Sequence, residues 1–145
     1  MKPSKFSIAA VLLNPRNNAE VLAVKRPPTD DALPNVWGLP AITPQPGELP
    51  EAAVKRLGKE KLSTEIEATS YLAIKHTERS SYELILMDIE ARLLGAEPSV
   101  ATAITSGTKY VDQQWTSDYS IFKEAANKGS LCSQIFLESK GIPWD

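Results

Sequence analysis

Two apolar runs open the chain. Residues 6–13 and 21–25 are rich in branched and small apolar side chains, and the Asn14-Pro15-Arg16-Asn17-Asn18 cluster between them is made of turn formers, so the pattern predicts a β-hairpin. The pattern then breaks. Seven of the eleven prolines (Pro27, Pro28, Pro34, Pro40, Pro44, Pro46 and Pro50) follow in one span, which forbids regular helix and predicts extended segments and turns. Pro50 suits a first helical position, and residues 51–62 place Val54, Leu57 and Leu62 on roughly one helical face. Two features weaken this helix. Leu49 stands where a serine would cap, a loss of about 1 kcal/mol, and Gly58 costs about 1 kcal/mol relative to alanine.

Residues 71–75 and 82–91 read as strands joined by the polar turn Thr77-Glu78-Arg79-Ser80-Ser81, and 110–115 reads as a further strand after a linker over 94–107. The end is helical. Ser117 or Asp118 can cap a helix through 127 that stops at Gly129, and Ser130 can cap another through 140 that stops at Gly141. The elements predict an α/β (α+β) fold with a mixed sheet, one central helix and C-terminal helices.

At 145 residues the chain is predicted to be one domain spanning 1–145, large enough for its own core. Sixteen Lys and Arg against 18 Asp and Glu leave no global field that would signal nucleic-acid or membrane binding. No apolar run approaches the ~20 residues of a membrane span, and Met1-Lys2-Pro3-Ser4-Lys5 leads into a strand, so a cytoplasmic location is expected. One cysteine, Cys132, and one histidine, His76, exclude an internal disulfide, multi-cysteine metal sites and His-pair zinc motifs. Cys132 reads as a small buried hydrophobe, and His76 as a surface imidazole, with a general base as the alternative.

The candidate chemistry lies between Trp37 and Glu67. Trp37-Gly38-Leu39-Pro40, Pro46-Gly47-Glu48 and the run from Glu51 to Lys61 resemble the box of the Nudix hydrolase superfamily, G-x5-E-x7-R-E-U-x-E-E-x-G-U, where U is a bulky aliphatic residue. Placed without a gap, Glu48, Arg56 and Glu60 match. Ile42 stands for the first glycine, Leu57 for the first helix glutamate, Gly58 for the aliphatic residue, Lys61 for the second member of the glutamate pair, and Ser63-Thr64 for the closing glycine and aliphatic residue. A one-residue shift leaves the same single carboxylate. The resemblance implies a Nudix-like α/β/α sandwich around a mixed sheet. It also implies pyrophosphohydrolase chemistry, in which Mg2+ or Mn2+ held by converging carboxylates neutralises a diphosphate and activates water.

On that resemblance the acids available to catalysis are Glu60, Glu48 and Glu51, with Glu60 the one metal-ligand candidate in the helix pair. Glu78, Glu83 and Glu97 could add an acid from a distant loop. The helix face that should be acidic carries Leu57, Glu60 and Lys61, and Lys55 to Lys61 holds four basic residues against one acid. Arg56, Lys59 or Lys61 could therefore contact phosphate directly in place of a metal, although a charge run on a helix is usually a solvated face. Lys25 and Arg26, at the end of the second strand, and Trp37 complete the substrate-binding candidates; Trp37 also reads as a structural anchor, and Trp115 as core. The loop before the helix has Ala41-Ile42 where family members carry a glycine pair, and a β-branched residue is disfavoured at positive φ, which predicts a different loop path.

Two functions follow. The first is a hydrolase of nucleoside diphosphate-linked substrates with an atypical, ligand-depleted box and Mg2+ or Mn2+ as cofactor. The second is a catalytically impaired domain, without a cofactor, that serves as a nucleotide-binding or protein-binding module. A homodimer is compatible with either.

Overall fold

The computed structural model describes residues 2–145. The opening hairpin is β1 (Ser4–Asn14) and β2 (Asn17–Lys25), and two short strands follow in the proline-rich span, β3 (Trp37–Gly38) and β4 (Ala41–Ile42). Helix α1 (Pro50–Lys61) leads to β5 (Ile66–Glu78), β6 (Glu83–Leu93) and β7 (Asp112–Thr116). Strands β1 and β5 are longer at both ends than their apolar runs, because ladder pairing carries on into the polar flanks; β2 is longer only at its start, and β6 and β7 are displaced one or two residues toward the C-terminus. The helix expected over 118–127 divides into a 3-10 turn, Tyr119–Phe122, and α2 (Lys123–Asn127), with α3 (Leu131–Ser139) closing the fold. No helix among the described residues is long and apolar enough to cross a membrane.

One mixed sheet runs β3-β2-β1-β6-β5, with β4 added to β1 and β7 to β2. Its centre is the parallel pair β1 and β6, in register from Ser4 opposite Glu83 to Leu13 opposite Arg92. Both faces of β1 are buried. Ile8, Ala10 and Leu12 join Val54, Leu57 and Leu62 of the α1 layer, while Ala9 and Val11 join Phe122, Ile135 and Phe136 of the α3 layer. A strand buried on both sides reads as a continuous apolar run rather than an alternating one.

Helix α1 divides as its sequence predicts, with Val54 and Leu57 wholly buried and Lys55 and Lys59 exposed. Leu49 is its N-cap and makes no side-chain cap bond. Ser63, at the place of the family's closing glycine, takes φ of 54°, the left-handed conformation that usually ends a helix on glycine. Gly58 has a packing reason that outweighs its poor helix propensity. A Cβ there would lie 2.8 Å from Cγ1 of Ile66 and 2.9 Å from the backbone oxygen of Thr64 as the chain turns back toward β5. Gly58→Ala is expected to lose about 1 to 3 kcal/mol through overpacking, more than the ~1 kcal/mol gained in propensity. Urea unfolding of the variant checks this, and unchanged or raised stability would refute the packing account.

Candidate functional site

Ala41 and Ile42 do not form a positive-φ loop. They pair antiparallel with β1, Ala41 opposite Ala9 and Ile42 opposite Ile8, which makes the segment a short strand of the sheet. The Ala41 backbone then becomes a hub. Its N–H donates to the Tyr110 hydroxyl at 2.9 Å, and its carbonyl accepts from Lys61 Nζ at 2.7 Å.

Lys61 is therefore not a solvated member of a basic run. It is only 7% exposed, its ammonium lies 5.4 Å from the centre of the Tyr110 ring, and Gly107 passes close over it. The segment joining β6 to β7 makes this enclosure, anchored where the Ile104 N–H donates to the Glu60 carbonyl at 2.9 Å. Burial, reinforced by the charges of Arg26 and Arg56 and opposed by Glu60, lowers the Lys61 pKa to about 8. Burial raises the Tyr110 hydroxyl to about 12.

Two predicted acids do meet, on a guanidinium. Arg56 forms a two-pronged pair with Glu48 at 3.0 and 2.9 Å, reaches both oxygens of Glu60 at 3.4 Å, and donates to the Thr43 carbonyl at 2.9 Å. The Arg56 bonds, helped by the Gln45 N–H, hold the Glu48 carboxyl below the usual range. Glu51 does not join them; it lies with Lys55 beside the start of β5. The distant acids are also engaged elsewhere: Glu78 with Lys2, Glu83 with the exposed His76, and Glu97 with Arg16 and the half-buried Trp115 indole. Among the described residues no three His, Cys, Asp or Glu side chains converge as metal ligands. The donors present do not fit a magnesium ion: the two nearest carboxylates already share a guanidinium, and an ammonium stands where the second of the glutamate pair would be.

On the α3 face of the sheet opens a cavity of about 520 Å³, lined among others by Arg26, Ala41, Ser7, Leu86, Ser130 and Cys132, and Ala41, whose carbonyl accepts from Lys61, joins it to the box. Arg26 is the one substrate-binding candidate from the sequence that lines it, and its guanidinium is 3.3 Å from Asp30. Lys25 and Trp37 face each other across the β2–β3 pair, ammonium to ring centre 6.0 Å, and neither lines the cavity. Cys132 is buried as expected, and burial with the nearby Asp88 carboxyl raises its thiol pKa. Sequence reading missed Lys5, Arg79 and Lys128, which also line the cavity. They are far apart in the chain, and only the parallel β1–β6 register brings Lys5 beside Leu84.

Comparison with known proteins agrees with this layout. The NUDIX domain family profile matches residues 3–115. Among solved structures, the MutT protein from Methanosarcina mazei Go1 superposes with a TM-score of 0.70 at 16% identity, covering 97% of this chain and 95% of that one. The ORF135 protein of E. coli gives 0.71 at 20% identity, over 99% and 96%, and a NUDIX hydrolase from Nitrosomonas europaea gives 0.68 at 19%, over 97% and 89%. No curated protein matches the sequence.

Proposed function

Because the chain belongs to the NUDIX family, we propose that it is a nucleotide-binding member that holds a nucleoside diphosphate-type ligand with fixed cations rather than with a metal ion, and that it has lost metal-assisted hydrolysis. The observation that carries this is the fate of the box charges. Arg56 is bonded to both Glu48 and Glu60, and Lys61 places a bonded ammonium at a position where the family's chemistry needs a carboxylate. Binding is supported by the adjoining cavity, whose size suits a small-molecule ligand. Its lining includes four basic residues, Lys5, Arg26, Arg79 and Lys128, and no acidic one. Arg26, whose charge acts on Lys61 and whose pair with Asp30 uses only one of its nitrogens, is the group to which we assign the diphosphate.

The reading is tested with dinucleotides, nucleotide sugars and nucleoside triphosphates, each with magnesium, with manganese and with chelator. Binding by calorimetry is expected to persist in chelator, and release of nucleoside monophosphate or phosphate to stay at background. Manganese-dependent release with many turnovers would overturn the proposal and restore the protein to the hydrolases.

A further inference from the structure

The cavity runs away from Ala41 along the α3 face of the sheet, and its far end is also cationic. Its floor follows the parallel β1–β6 pair outward from Ala41, which lies opposite Ala9: first Ser7 beside Leu86, then Lys5 beside Leu84. Ala9 to Lys5 is four residues of strand, a span of about 13 Å. Arg26 stands at the inner end with Ala41, and Lys5, Arg79 and Lys128 stand at the outer end with Tyr82 and Gly129. Between the two ends the lining carries no charge: Leu86, Leu131 and Cys132 lie there with the hydroxyls of Ser7 and Ser130.

The outer cations are not consumed by acids of the lining. Lys5 has no carboxylate partner among the described residues and rests 5.4 Å from the centre of the Tyr82 ring. Arg79 uses one nitrogen on the Gly129 carbonyl at 2.8 Å, a neutral acceptor that leaves its other donors and its full charge available. Lys128 is 3.1 Å from Glu124 in an exposed i,i+4 pair, which screens it without removing it. The nearby acids Glu78 and Glu83 lie outside the cavity lining, Glu78 paired with Lys2 and Glu83 beside the His76 ring.

We infer that the ligand is a nucleoside diphosphate carrying a second anionic group, phosphate or carboxylate, at the end remote from the diphosphate, read by Lys5 and Arg79 across an uncharged middle. This rests on the nucleotide-binding reading above and adds the substrate class. An uncharged stretch between two cationic ends selects a ligand with charge at both ends over one with charge at a single end, because only the former satisfies both.

Matched pairs that differ only in a charge beyond the diphosphate test it by calorimetry in chelator: ADP-ribose against ADP-ribose 1″-phosphate, NAD+ against its nicotinate analogue, and UDP-glucose against UDP-glucuronate. The first pair adds a phosphate, and the other two exchange an uncharged group for a carboxylate. At least one charged member is expected to bind about tenfold more tightly than its partner, and Lys5→Gln or Arg79→Gln to bring that ratio close to one. Lys5 is exposed, so its variant keeps the test independent of any folding defect from losing the Arg79 bond to Gly129. Equal affinities within every pair would overturn the inference and leave the nucleotide-binding reading standing. A preference that survives both substitutions would also overturn it, since the tail would then be read elsewhere. If no member of any pair binds, the nucleotide-binding reading itself fails and the inference falls with it.

Discussion

Asp88→Val is expected to stabilise the protein at neutral pH by about 1 to 3 kcal/mol. Asp88 sits on β6 between Ala9 of β1 and Ala73 of β5, is wholly buried, and has neither carboxyl oxygen bonded within the protein. Burial raises its pKa well above 3.8, so the folded protein keeps a proton that the unfolded chain has released. The sign follows. The cost is absent below pH 3.8, where both states are protonated, and stability is lost as pH rises above that value toward the folded pKa. Valine removes the orphaned oxygens, suits a strand, and has only methyl groups as its cross-strand neighbours. Asp88→Asn removes the ionisation but leaves an unbonded amide, so its gain is smaller. Denaturant unfolding at pH 4 and pH 7 should show wild type and Asp88→Val closer together at the lower pH. A valine variant less stable than wild type at pH 7 would mean that the carboxyl has a partner that matters.

What could be read from the sequence follows from how local each feature is. The β1–β2 hairpin, α1 and α3 rest on contiguous patterns: apolar runs around an Asn-Pro turn, a helical stripe after Pro50, a short apolar helix after Gly129. The inward packing of Val54 and Leu57 is a property of that stripe alone. Lys61 is the opposite case. In sequence it belongs to a basic run and reads as solvated, and only Tyr110 and Gly107, brought over by the segment between β6 and β7, enclose it. Ala41-Ile42 announced a changed loop because a β-branched residue avoids positive φ, yet pairing with β1 is a tertiary choice that the dipeptide does not encode. Gly58 looked like a defect until the return of the chain through Thr64 and Ile66 showed why a methyl group does not fit. The far end of the cavity was hidden for the same reason, since parallel pairing of β1 with β6 joins segments that no turn connects.

The enclosure of Lys61 carries the second large effect, read as a change with pH against Lys61→Met. Methionine fills a similar volume and carries no proton. The folded lysine releases its proton near pH 8, whereas 10.5 is its ordinary value. Below pH 8 the ammonium is charged in both states and its burial cost is borne in full. Between pH 8 and 10.5 the unfolded chain still binds the proton and the folded protein does not, so this group's contribution to stability rises with pH. The stability of wild type relative to Lys61→Met should therefore increase by about 2 to 3 kcal/mol from pH 7.5 to 10.5. Tyr110, with its hydroxyl near 12, is common to both proteins and largely cancels in the difference. Paired urea titrations across that range measure it. A difference that stays flat would mean that Lys61 titrates as an ordinary surface lysine, and an ammonium open to solvent could not serve as the fixed, enclosed charge that stands in the box in place of a metal-binding carboxylate.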